Sequence, residues 1–212
     1  MQGIPQVLDF WFSDEARQRW FDARPAFDQR LRKTFAELYA RAATGDLQAW
    51  QSTAEGCLAL VILLDQMPRN MFRGDARAFS TDLKALRVAE HALTQGFDHQ
   101  LPPERKQFLY LPFMHSENLA NQLRALALCE RAGLAEARRS AEEHLRIIRR
   151  FGRFPHRNAV LGRESSEVER AYLEQRPDSF GQAQAGGRAT SGPDDQAPPS
   201  GTGGRRSRRR SW

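Results

Sequence analysis

Between residues 4 and 175 apolar side chains recur at intervals of three and four, and no stretch alternates apolar and polar positions between turn residues as a strand would. The pattern predicts an all-α chain. A short helix near Pro5 carries Val7, Leu8 and Trp11, and a second opens at Pro25, carries Phe27, Leu31, Phe35 and Leu38, and ends at Gly45. The third opens after Asp46 with Leu47 and Trp50 and continues through Leu58, Val61 and Ile62. Residues 57–64 are apolar all round, which predicts a central buried helix ending before Pro68. A polar loop rich in arginine and phenylalanine leads to a fourth helix from about Asp82 to Gly96. A fifth covers 104–113, with Pro112 kinking it or dividing it from a helix over 117–131 that closes at Gly133. Another spans 135–151 and stops at Gly152. Ser166 with Glu169 forms a capping box for the last, which carries Val168, Tyr172 and Leu173. Seven or eight helices on short loops predict antiparallel helical hairpins; no 34-residue repeat is evident.

Composition divides the chain. Residues 181–204 hold seven of the 15 glycines and three of the 11 prolines, with no Val, Ile, Leu, Met or aromatic residue, too little apolar surface to offset the entropy of ordering. A single domain over 1–175 and a disordered tail over 176–212 are therefore expected. Seven arginines against three aspartates give that tail a charge of 7 − 3 = +4 out of the total of +6, so the body is nearly neutral. The run Arg205, Arg206, Arg208, Arg209 and Arg210 offers weak, salt-sensitive nucleic-acid contact at most. The longest apolar run is eight residues, too short to span a bilayer, and a cytoplasmic location without membrane contact is expected. Cys57 and Cys129 lack metal-ligand spacing and read as small core hydrophobes.

Several polar residues share apolar helical faces. Asp65 lies with Leu47, Leu58 and Ile62 at the end of the central helix, where the macrodipole disfavours a negative charge; it needs a partner, with Arg69, Arg73 and Arg157 as candidates. His144 lies with Ala137, Ala141 and Ile148, and His115 with Leu119, Gln122 and Leu126, so both imidazoles are expected to point inward. Each alone reads as a satisfied core group. Together with two loops of like chemistry, 65–70 and 154–158, each with a Pro, an Arg and an Asn, they point to one pocket. Its expected members are Asp65, Arg69, Asn70, Arg73, His115, Glu117, His144, Arg153, His156, Arg157 and Asn158, with the arginines able to hold a carboxylate or phosphate.

At these residues the chain resembles a bacterial family catalogued as domain of unknown function 924. The resemblance rests on Asp9-Phe10-Trp11-Phe12, on Leu63 through Gly74 with its Asp65-Gln66-Met67-Pro68-Arg69-Asn70 core, on Tyr110 through Glu117, and on Arg150 through Asn158 followed by Leu161-Gly162-Arg163. It covers about residues 4–175 and implies a cytoplasmic, all-helical fold similar to tetratricopeptide repeats. It implies no reaction, cofactor or substrate.

Gly-rich phosphate loops, Gly-x-Ser-x-Gly and His-Glu-x-x-His are absent from the sequence. A metal held by His115, Glu117, His144 and His156 is disfavoured because Glu117 falls about 200° from His115 on a helical wheel, and no cofactor or metal is expected. The leading expectation is a protein binding an anionic small molecule or peptide carboxylate in an Arg/Asn/His-lined pocket. The alternative is an enzyme on an anionic substrate, with arginine as clamp, His115 or His144 as acid or base, and Asp65 orienting an imidazole.

Overall fold

In the computed structural model, residues 3–20 and 24–175 are described; the tail expected over 176–212 lies outside them. The described residues form helices and turns with no strand. The first helix, α1 (Ile4–Trp11), buries Ile4, Val7, Leu8 and Trp11, and a single turn, α2 (Asp14–Arg17), is capped by Ser13. The long α3 (Pro25–Thr44) starts on its proline and stops at Gly45, whose φ of 96° is the left-handed conformation that glycine adopts freely.

The central segment departs from the periodicity at both ends. Residues Gln48–Ser52, with buried Trp50, form a separate 3₁₀ turn, and α4 (Ala54–Val61) starts only after an extended Thr53, whose hydroxyl accepts from Gly56 N. Gly56 is required here: a Cβ on it would lie 1.9 Å from the Trp50 carbonyl oxygen. At its other end the rod does not stop before Pro68. It passes through a π turn, Ile62–Gln66, into α5 (Met67–Met71), and Met67 N donates to the Ile62 carbonyl five residues back. Proline at 68 has no N–H for the Leu64 carbonyl, and the Thr81 hydroxyl donates to that oxygen instead, at 2.6 Å. Asp65 therefore sits inside a continuous rod, not at a helix C-terminus.

A 3₁₀ turn, Ala76–Phe79, leads to α6 (Asp82–Thr94). Helix α7 (Pro103–Met114) continues past Pro112, which removes the backbone bond to the Phe108 carbonyl but does not divide the helix there. The chain breaks later: Asn118 caps α8 (Leu119–Arg131), its side-chain oxygen accepting from Ala120 N and Asn121 N. Three residues then reverse the chain into α9 (Ala135–Phe151), and the Ser166–Glu169 box opens α10 (Glu167–Gln175) with both reciprocal bonds formed.

Eight of these α-helices have eight or more residues. Consecutive helices α6 to α9 pack on one another in order, with α4 against α1, α6 and α7. One apolar core runs from Ile4 to Ala141 and includes Cys57 and Cys129, both free and buried. A smaller cluster, Ile147, Ile148 and Phe154, lies under Phe151 and Tyr172. Among the described residues no helix is long and apolar enough to cross a membrane.

Candidate functional site

The π turn exposes none of Asp65, yet turns its carboxylate into a polar seam between the rod, α6, α7 and α9. His115, the residue that ends α7, places Nδ1 2.9 and 2.8 Å from the two Asp65 oxygens. Gln66 donates to the same carboxylate, and Arg69 lies 3.3 Å from it while also donating to the Asp65 carbonyl. Burial alone would raise the Asp65 pKa, but the Arg69 charge and then His115 outweigh it and hold the carboxyl well below its ordinary range. Arg69 also grips Asp82, at the start of α6, through two bonds of 3.0 Å.

Burial lowers the His115 pKa against the opposing pull of Asp65, so the imidazole is neutral near pH 7. A carboxylate can only accept, which puts the ring proton on Nδ1. The Nε2 lone pair then has no hydrogen-bond partner among the described residues. His144 stands behind it, ring centroids 6.2 Å apart, with its own Nδ1–H donating to the Ser140 carbonyl at 2.8 Å. His115 thus points inward as expected, but as the cap of α7: the helical face with Leu119 and Leu126 does not exist at that position.

His115, Ser116, Glu117, Asp82 and Arg157 are among the residues that line a cleft of about 310 Å³. Phe79, Leu83, Leu86, Pro112 and Leu161 supply apolar surface in the same lining. Glu117 accepts Phe154 N at 2.8 Å and is chelated by Arg163 at 2.7 and 3.0 Å. Burial would raise its pKa, and the bonds from Arg163 and Phe154 N reverse the shift and keep it ionised.

Arg157 is the odd member. Its side chain is 7% exposed, and its guanidinium carbon is stacked 4.7 Å from the Phe79 ring centre and 4.5 Å from that of Phe154. Its ion partner is Asp82 at 3.5 Å, already held by Arg69, and its Nε makes no hydrogen bond. Burial brings its pKa down to about 10, against Asp82, so it still carries its charge at neutral pH.

Other expected members lie elsewhere. Asn70 and Arg73 both hold Asp28 of α3, at 2.9 Å each, and do not line the cleft. Arg153 is chelated by Glu169 at 2.7 and 2.8 Å and serves the start of α10. Asn158 is buried with its amide donating to Ser165, and half-buried His156 packs on Phe154. The charge partners Asp82 and Arg163, and the aromatic wall Phe79, are additions that the helical pattern did not single out. Among the described residues, no three His, Cys, Asp or Glu side chains converge as a metal ion would need.

Residues 7–177 match the model of a family described as bacterial protein of unknown function, DUF924. A solved structure of a protein of unknown function from Agrobacterium tumefaciens is similar at 42% identity and a TM-score of 0.77, over 81% of this chain and 97% of that one. No curated protein matches the chain.

Proposed function

Because the chain belongs to DUF924, a bacterial family of unknown function, its chemistry has to be read from its own residues, and we propose that the cleft binds the carboxylate of a small molecule or of a peptide end. The observation that carries this is Arg157, a cation in the lining of the cleft that shares its one ion partner, Asp82, with Arg69. A guanidinium so placed can close on one further carboxylate. Charge sets the ligand's valence. Asp65, Asp82 and Glu117 are matched by Arg69, Arg157 and Arg163, and the other two arginines each chelate a carboxylate in two-pronged fashion. A singly charged ligand adds one uncompensated charge and a dianion two, so a monocarboxylate is favoured over phosphate. The apolar wall of Phe79, Leu83, Leu86, Pro112 and Leu161 fits a hydrocarbon remainder.

Titration calorimetry with hexanoate, N-acetyl-leucine, succinate and phosphate tests the reading. The two apolar monocarboxylates should bind, and hexanoate at 100 times its Kd should stabilise the fold by about 2.7 kcal/mol. Arg157→Gln should abolish both effects and cost about 1 to 2 kcal/mol without ligand, the two ring contacts being lost. No heat with any of the four anions, or unchanged binding in the variant, would remove the proposal.

A further inference from the structure

We propose that the cleft hydrolyses carboxylate-bearing esters, with His115 Nε2 as the general base and Asp65 as its positioning residue. The inference rests on the carboxylate reading above for the anchoring of the substrate at Arg157. It stands on geometry of its own: both Asp65 oxygens lie within 2.9 Å of Nδ1, which leaves the opposite ring nitrogen unbonded on a cleft wall. A histidine serving only to bridge helices uses its second nitrogen or encloses it; the Nε2 of His115 has no hydrogen-bond partner among the described residues, is not among the enclosed polar atoms, and belongs to a residue that lines the cavity.

The neighbours decide what that base acts on. Ser116, the hydroxyl next to it in sequence, accepts from Asn118 N and Asn121 Nδ2, and the Ser80 hydroxyl donates to the Arg77 carbonyl at 2.9 Å. Among the described residues neither is bonded to His115, so no side chain stands as an activated nucleophile and the base acts on water. The carboxylates that line the cleft, Asp82 and Glu117, are chelated by arginine and supply no proton. A single group must both take and return the proton, which suits hydrolysis. Nε2 takes a proton from water as the water oxygen bonds to the ester carbonyl carbon. The carbonyl–alkoxy bond of the tetrahedral adduct then breaks, and Nε2–H delivers the same proton to the departing alkoxide, giving acid and alcohol. The groups that set the proton affinity of His115 are Asp65 and Arg69 on the rod, Asp82 on α6 and His144 on α9, with Arg157 a further cation in the lining of the same cleft.

The probe is mono-4-nitrophenyl glutarate, whose hydrolysis releases coloured nitrophenolate. Wild type should turn it over, competitively with hexanoate, and His115→Gln should lower kcat/KM by about 100-fold or more. Asp65→Asn should lower kcat and move the acid limb of the pH profile, because the carboxylate that favours the protonated ring is gone; a purely structural Asp65 would lower the folded fraction without moving that limb. If His115→Gln does not fold, diethyl pyrocarbonate replaces it: modification of His115 that abolishes hydrolysis and is blocked by hexanoate supports the base, and hydrolysis surviving modification overturns it. Heat with hexanoate but no hydrolysis by wild type overturns the inference and leaves the binding reading intact. Neither heat nor hydrolysis removes both.

Discussion

His144, on α9, packs against His115 and Phe154, and burial, with a smaller electrostatic contribution from His115 as that ring takes up its own proton, lowers its pKa to about 3. An unfolded histidine titrates near 6.5, so below that pH the unfolded chain binds a proton that the native state refuses. Stability from His144 is complete above about pH 6.5 and is lost as pH falls towards 3, by as much as about 1.4 kcal/mol per pH unit. Thermal unfolding between pH 7 and 4 should therefore be steeper for wild type than for His144→Gln; parallel curves would show that the imidazole is charged when folded. Asp65 adds its own loss only below the ordinary carboxylate range, since its pKa is depressed too. At this scale the sequence was informative where a polar residue shared a face with apolar ones, as Asp65 and His144 do. It could not tell Arg157 from Arg73 or Arg153: all three follow helix ends, and only the fold brings Asp28 to one and Glu169 to another. Asp82 reads as an ordinary acid in a helix's first turn, and nothing in its neighbours marks the two arginines it meets.

Among the elements, α3, α6, α9 and α10 were legible to within a residue or two, because each has a proline, glycine or capping box at an end and a clear apolar stripe between. The central rod was not, since periodicity carries no sign of a π turn and proline normally marks a stop. Its continuity depends on Thr81, which supplies from another segment the donor that Pro68 lacks. Thr81→Val should cost about 1 to 3 kcal/mol by leaving the buried Leu64 carbonyl unsatisfied. In a Pro68→Ala background, where a backbone N–H is available again, the same substitution should cost about 1 kcal/mol less. Denaturant unfolding of the four proteins measures the difference, and strictly additive costs would mean that Thr81 and Pro68 are unconnected.

For the whole molecule, the cleft gathers Asp82, His115, Glu117 and Arg157 from segments that touch only when the helices are stacked, so a bound anion and the native fold reinforce one another. The rod determines whether they meet. Its first part, α4, is seated against α1, α6 and α7, while its last part, α5, holds α3 through Asn70, joined by Arg73 in the turn that follows. The π turn is one residue longer than the helix needs to close hydrogen bonds four residues apart. The wide turn therefore absorbs the extra residue: five residues here turn the chain about as far as four do in a regular helix, and the segments on either side stay in phase. Tightening the turn to regular bonding with all its residues kept would rotate everything beyond it by about 100° relative to α4, and Asn70 and Arg73 would swing off Asp28. Deleting Leu63 instead should restore regular bonding with both ends of the rod still in their seats, so we expect the shortened protein to keep its helix content by circular dichroism and to lose only the stability that the buried Leu63 side chain supplied; loss of the cooperative thermal transition would show that the turn sets the phase in another way. The surplus residue is slack taken up between two halves of a stack, and the buried carboxylate beside His115 is carried on the turn that takes it up.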